Sequence, residues 1–145
     1  MISQTAEYAL RAMVYLAMKT AGSAATGTEI AEVTMVPPGY LSKIMNQLAK
    51  GKLVRSQRGV GGGFVLSRDP AAISILDVVN AVDPIEKLTS CPLGIKSHGI
   101  NLCPLHKRLS EATGHLEAAF AASTLSELVE ESKSPLCKSV PLDIK

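Results

Sequence analysis

One stretch of sequence decides the fold: Val54-Arg55-Ser56-Gln57-Arg58-Gly59-Val60-Gly61-Gly62-Gly63-Phe64-Val65-Leu66-Ser67-Arg68. Two short runs of β-forming residues flank a loop that holds four glycines. Glycine adopts backbone angles closed to other residues, and it lets the main chain lie close to another surface. The runs therefore predict a hairpin with Gly61 and Gly62 near its tip. Arg55 and Arg58 would project from it like the cations of a DNA-binding wing, although an ordinary surface hairpin is the alternative.

The residues before the hairpin predict two helices joined by a turn. Thr26 with Glu29 three residues later is a capping-box signature for a short helix. A turn follows over residues 35–39, and a second helix is predicted over residues 40–50, with Gly51 as its C′ residue. One face of this second helix repeats apolar residues at intervals of three and four, which indicates burial. Those residues are Leu41, Ile44, Met45 and Leu48.

The remaining surface of the second helix carries amides, hydroxyls and cations. These groups bond base edges and phosphates in the major groove of DNA. The candidate DNA-binding residues are Tyr40, Ser42, Lys43, Asn46 and Gln47 on this helix, with Arg55, Arg58 and Gly59 in the hairpin. Together the two helices and the hairpin predict a winged helix-turn-helix that binds double-stranded DNA. The alternative is an ordinary amphipathic helix whose polar face is only solvated and does not bind DNA.

Charge and composition narrow the class of protein. Residues 1–68 carry eight Lys and Arg against three Asp and Glu, whereas residues 69–145 carry seven against ten. A basic amino-terminal half suits phosphate contact. No run of about eighteen apolar residues and no signal-peptide pattern occurs, so we expect a cytoplasmic protein without a membrane span. Catalytic triads, phosphate-cradling loops and metalloprotease motifs are also missing from the sequence, so an enzyme is not expected.

The flanking segments predict further helices. An opening helix is expected over residues 3–19, and Ser74 with Asp77 caps another that runs to Val82. The expected core-facing residues of the opening helix are Ala6, Leu10, Met13, Val14 and Ala17. Pro104 suits the first position of a long helix that ends near residue 122.

The long helix carries an apolar row at the 4-3-4-3 spacing of paired helices. Its members are Leu105, Leu109, Ala112, Leu116 and Ala119. A symmetric second copy of the chain is the expected partner, which predicts a homodimer on a roughly palindromic operator. Packing of this row onto the chain's own winged helix is the alternative.

The predicted fold class is mostly α with a small β-hairpin wing, a winged helix-turn-helix plus a long dimerisation helix. Four regions are expected. They are a winged-helix DNA-binding domain over 1–83, a cysteine-containing sensor loop over 84–103, the dimerisation helix and a short following helix over 104–131, and an extended tail over 132–145.

The sequence resembles the IscR/NsrR/CymR family of dimeric winged-helix bacterial transcription regulators. Four segments carry the resemblance: Glu7-Tyr8-Ala9-Leu10-Arg11-Ala12-Met13, Tyr40-Leu41-Ser42-Lys43-Ile44, Arg58-Gly59-Val60-Gly61-Gly62-Gly63-Phe64 and Leu76-Asp77-Val78-Val79-Asn80-Ala81-Val82-Asp83. It implies that Arg58 enters the minor groove and that the start of the recognition helix reads the major groove. The resemblance also implies that the protein regulates transcription, and we expect it to act as a repressor.

The same resemblance raises the question of a cofactor. Cluster-binding relatives carry three cysteines in the loop, and here Cys91 and Cys103 match the first and last while the middle position is Ser97. His106 is the expected replacement ligand, because imidazole can replace thiolate at a [2Fe–2S] cluster. Further candidate ligands are Glu7, which some relatives use across the dimer, and His98.

Three other interpretations of these cysteines remain open. Cys91 and Cys103 could form a reversible disulfide in a metal-free thiol sensor. The chain could instead respond to a small molecule or a partner protein. The cysteines could also be buried small hydrophobic residues with no sensing role. Cys137 lies in the tail, outside the region that resembles the family.

Overall fold

The computed structural model describes residues 2–96 and 101–132. Its helices are α1 Gln4–Met18, α2 Gly27–Thr34, α3 Pro38–Lys50, α4 Ile75–Val82, α5 Pro104–Ala122 and α6 Leu125–Ser132. Two strands, β1 Val54–Gln57 and β2 Gly63–Leu66, lie between α3 and α4, and a 3₁₀ turn at Pro70–Ala72 follows them. Within the described ranges, no helix is long and apolar enough to cross a membrane.

The predicted hairpin is confirmed. Strands β1 and β2 pair antiparallel, with Val54 opposite Leu66. Ala25, which precedes α2, extends this pairing: its N–H donates to the Phe64 carbonyl at 3.0 Å, and the Phe64 N–H donates back at 2.7 Å. Gly63 has a φ of +143°, and a Cβ there would overlap the Ala25 carbonyl. The wing is therefore fastened to the segment that leads into α2.

Helix α1 lies at the centre of the fold, and the predicted core residues Ala6 and Met13 are buried. Its buried residues are Ala6, Ala9, Ala12, Met13 and Leu16. Leu10, Val14 and Ala17, also predicted to face the core, are half-buried and pack against it. Small alanines allow α1 to pack closely against its neighbours α2, α3, α4 and α6. The larger Leu10 and Val14 also line an open, mostly apolar groove of about 520 Å³.

Helices α2 and α3 form the expected helix-turn-helix, with two corrections. Helix α3 begins at Pro38, two residues before the predicted start. Gly51 is not a left-handed C′ residue, since its φ is −73°; the next residue, Lys52, takes the left-handed conformation. Gly51 instead faces α4, where an added Cβ would be 3.0 Å from the Cβ of Ala81. A side chain at this position would press against Ala81, so close packing between the helices favours glycine here.

The Thr26 cap is confirmed in part. Its hydroxyl accepts a hydrogen bond from the Glu29 N–H at 3.1 Å. The Glu29 carboxylate, however, accepts from Tyr15 and Lys19 of the α1 region, each at 2.5 Å. Glu29 therefore joins α2 to α1.

The later helices begin where the sequence predicts. Ser74 and Asp77 form a complete capping box at the start of α4, and Pro104 is at the first turn of α5. Thr124 and Glu127 likewise exchange hydrogen bonds at the start of α6. Helix α6 extends to Ser132, one residue into the predicted tail. The rest of that tail, including Cys137, lies outside the described residues.

The predicted apolar row on α5 is exposed. Leu105, Leu109 and Leu116 expose 63%, 47% and 37% of their surface. Ala112 and Ala119 are exposed as well, and no residue of α5 is buried in the described protomer. The described protomer therefore does not bury this row on its own winged helix.

Candidate nucleic-acid interface and cysteine site

The exposed face of α3 carries four of the five candidate residues predicted on that helix. Tyr40, Ser42, Lys43 and Asn46 are all exposed. The buried side of α3 consists of the four predicted apolar residues. The spacing of these residues in the sequence therefore predicts correctly which face of the helix is buried. A polar face is thus presented to solvent along most of α3.

Tyr40 is held in place by α1. Its hydroxyl lies 3.2 Å from that of Thr5, and its ring meets the Tyr8 ring edge-on at a centroid distance of 5.8 Å. Aromatic pairs of this geometry are more favourable than their buried area alone implies. The start of α3 is therefore anchored to the start of α1, a contact that sequence spacing does not reveal.

Gln47, the fifth candidate on α3, is placed differently. Its side chain is half-buried, and Nε2 donates to the carbonyl of Val82 at 3.2 Å. This hydrogen bond joins α3 to the last residue of α4. The amide thus points toward α4.

The wing presents Arg55, Arg58 and Gly59 at the surface. Gly59 and Gly61 have φ values of +99° and +75°, which allow the tight turn beside Arg58. Arg55 sits on β1 opposite Val65. These residues surround the tip and one face of the ribbon, which is the arrangement expected of a wing.

A cleft of about 380 Å³ separates α3 from the wing. Its lining includes Ser42 and Asn46 of α3, Phe64 of β2 and Thr28 in the first turn of α2. Thr28 was not among the predicted residues. Its position in the first turn of a capped helix could have identified it, because backbone N–H groups there lack helical partners and can bind a phosphate.

The cysteines occupy unlike environments. Cys91 is buried, with 9% of its surface exposed, whereas Cys103 is half-buried as the N-cap of α5. The Cys103 Sγ lies 3.1 Å from the Nδ1 of His106. One turn of helix therefore brings a thiol and an imidazole together, as their spacing predicts.

The wider ligand set is not assembled in one protomer. In residues 2–96 and 101–132, no group of three or more His, Cys, Asp or Glu side chains is placed to hold a metal ion. The Glu7 carboxylate is paired with Arg11 on the next turn of α1, and His98 lies outside the described residues. The described protomer alone thus supplies too few donors for an iron–sulfur cluster.

A second polar cluster ties α1 to α2. Hydrogen bonds from Lys19 and then from Tyr15 hold the pKa of the Glu29 carboxyl below its ordinary value. Burial and the hydrogen bond to Glu29 raise the pKa of Tyr15 to about 12. Both shifts favour the ionised carboxylate and the neutral phenol, which together stabilise the helix-turn-helix against α1.

Comparison with known proteins decides the family. The sequence profile of the Rrf2 family, described as an iron-dependent transcriptional regulator, matches residues 2–131. The chain belongs to the Rrf2 family. It is 31% identical over 130 residues to an HTH-type transcriptional regulator of Aquifex aeolicus, with 88% of this chain and 90% of that protein covered. Its relatives are transcriptional regulators of the HTH type, so this chain is a DNA-binding transcriptional regulator and not an enzyme.

Solved structures of other Rrf2 proteins match the fold. CymR, the global cysteine regulator of B. subtilis, is 25% identical with a TM-score of 0.75, covering 90% of this chain and 97% of its own. The oxidised form of Staphylococcus aureus CymR is 26% identical with a TM-score of 0.71, covering 90% and 96%. IscR of T. potens, at 22% identity and a TM-score of 0.77 over 92% and 88%, shows the fold alone. The predicted winged-helix class and the predicted family are confirmed.

Proposed function

We propose that this Rrf2 protein is a homodimeric, sequence-specific repressor whose DNA affinity depends on chemistry at Cys91 and Cys103. In this proposal the exposed face of α3 reads the major groove and Arg58 enters the minor groove. The observation that carries it is the polar face of α3 beside an arginine-tipped hairpin. The buried side of α3 packs in the core, and the hairpin is hydrogen-bonded through Phe64 to Ala25, just before α2. Such a protein acts on DNA in the cytoplasm.

The exposed row on α5 supports a homodimer. Five apolar residues at coiled-coil spacing face solvent in the protomer, and a second copy would cover them symmetrically. Two α3 helices about 34 Å apart would then read successive major grooves on one side of the duplex. A roughly palindromic operator follows from this symmetry.

The first candidate for the sensing chemistry is a [2Fe–2S] cluster with Cys91, Cys103 and His106 among its ligands. The iron-dependent description of the family and the contact between Cys103 and His106 support it. When bound, such a cluster would supply one-electron redox chemistry. The described protomer falls short of the required donors, so further ligands would have to come from residues 97–100 or from a second copy, including its Glu7.

The second candidate is a thiol switch, supported by the similarity to CymR, for which an oxidised form is known. Cys91 and Cys103 would each lose a proton, and the pair would pass two electrons to an oxidant such as hydrogen peroxide as the S–S bond forms. Closure would pull the N-terminus of α5 toward the segment that follows α4.

The test is purification under anaerobic conditions, followed by iron and sulfide analysis and absorption spectra. Bound cluster predicts visible absorbance that Cys91→Ala, Cys103→Ala and His106→Ala each reduce, whereas Cys137→Ala does not. A thiol switch predicts no iron, and diamide would change operator affinity in the wild type but not in Cys103→Ala. Absent iron together with unchanged affinity would contradict sensing at these cysteines, and would favour a small-molecule or protein signal instead.

A further inference from the structure

Gln47 makes a contact that differs from those of the other polar residues on α3. Its Nε2 donates to the Val82 carbonyl at 3.2 Å, and its Oε1 is buried without a hydrogen-bond partner among the described residues. The Val82 carbonyl belongs to the last turn of α4, where carbonyls lack helical partners. The side chain thus satisfies the end of another helix.

Two further contacts meet at the same end of α4. Gly51 of α3 lies against Ala81, where a Cβ on the glycine would be only 3.0 Å away. Asn80 Oδ1 accepts a hydrogen bond at 3.3 Å from the N–H of Ile85. Ile85 lies two residues beyond Asp83, the C-cap of α4. The end of α4 therefore contacts both the inner side of α3 and the beginning of the segment that carries Cys91.

We propose that Gln47 is a positioning residue that fixes the orientation of α3 against the end of α4, and is not a reader of bases. A hydrogen bond to one carbonyl specifies an orientation, whereas apolar packing alone tolerates small rotations. Residues 84–96 follow the end of α4, so the hydrogen bond from Gln47 to Val82 also links this segment to the exposed face of α3 that is proposed to read DNA. This inference rests on the proposed role of α3 in reading DNA.

The variant that tests it is Gln47→Met, which keeps the length of the side chain and removes both amide groups. The variant leaves the Val82 carbonyl without its donor, and it also removes a buried Oε1 that has no partner among the described residues. The second effect offsets part of the first, so the unfolding midpoint should fall by less than loss of a buried hydrogen bond alone would cause. An operator is first selected from random duplexes, and a panel is made with single base-pair substitutions. Affinities are measured by fluorescence anisotropy for the panel and for a random duplex.

A positioning role predicts that Gln47→Met weakens binding to every panel member by a common factor, on the order of three- to tenfold. Affinity for random duplex and its salt dependence should stay unchanged, since phosphate contacts are retained. Loss of discrimination at one base pair alone would overturn the proposal, because that is the result expected of a base reader. The matched control is Asn46→Ala, an exposed amide one residue earlier, for which such a local loss is expected.

A second measurement does not need an operator. Amide hydrogen exchange over residues 80–96 should be faster in Gln47→Met than in the wild type, because the end of α4 has lost its tie to α3. Equal exchange would overturn the link between α3 and this segment. If the wild type prefers no duplex, the proposed function fails, and the exchange result still decides the role of Gln47.

Discussion

Replacing Gly63 by alanine should detach the wing from the helix-turn-helix. The Cβ would overlap the Ala25 carbonyl and lie 2.9 Å from the Thr26 nitrogen, in a backbone conformation with φ of +143°. Strain of this kind costs about 1–3 kcal/mol. The required shift would also break the two hydrogen bonds between Ala25 and Phe64, each worth about 0.5–1.5 kcal/mol.

Gly61→Ala is the matched control, because Gly61 also has a positive φ but a Cβ there meets no atom within 4 Å. Both variants change the unfolded chain equally. The difference between them therefore reports the collision together with the greater backbone strain at φ +143° than at φ +75°. Gly63→Ala should be less stable than Gly61→Ala by about 1–3 kcal/mol. That difference corresponds to a midpoint shift on the order of 1 M urea for a typical dependence on denaturant.

Urea titration measures global stability, and hydrogen exchange at the Ala25 and Phe64 amides reports detachment of the hairpin alone. Faster exchange at both amides with a small midpoint shift would still fit local detachment. Equal midpoints for the two variants, with both amides protected as in the wild type, would refute the account of how the wing is held.

Three further predictions concern DNA contact, assembly and pH. Arg58→Ala should weaken operator binding, because the negative potential of the minor groove attracts the cation proposed to enter it. The slope of log affinity against log salt, from anisotropy titrations at several salt concentrations, should fall by up to about 0.9, since a cation in the groove also neutralises phosphate charge. Unchanged affinity and an unchanged slope would exclude Arg58 from the interface. Leu109→Glu should give a monomer in sedimentation equilibrium, because it places a charge in the apolar row of α5. Arg108→Glu changes a neighbouring exposed residue outside the row and should leave the association unchanged. A dimer of Leu109→Glu would show that the row is not the interface. The lowered pKa of Glu29 means that its stabilising contribution is present above pH 4.5 and is lost as the pH falls through the lowered value. Glu29→Gln should therefore flatten the fall in thermal midpoint below pH 4.5, and parallel curves for the two proteins would contradict this link.

Much of the fold could be predicted because local chemistry agrees with it. The glycine-rich hairpin, the capping box of Ser74 with Asp77, and Pro104 at the start of α5 each depend on residues close in sequence. The apolar row on α5 could also be identified from the sequence, because the spacing of its residues does not depend on the surface that the row contacts.

The errors arose where a choice depended on distant neighbours. Periodicity places Ala6 and Met13 in the core correctly, but it could not show that Leu10 and Val14, which pack against the core, also line a groove. The sequence predicts correctly that α3 ends at Gly51, but it could not show that Lys52 takes the left-handed conformation or that Gly51 lies against Ala81 of another helix. For the candidate site, composition identified polar residues on α3 but could not reveal that the Gln47 amide bonds the end of α4.

The uncovered leucines of α5 have a consequence for gene control. If a second copy covers them, as proposed, the number of functional units depends on the square of the chain concentration when chains are scarce. Promoter occupancy would then decline more steeply than the cellular level of the regulator itself. A modest fall in synthesis could release its target genes without any chemical signal at the cysteines.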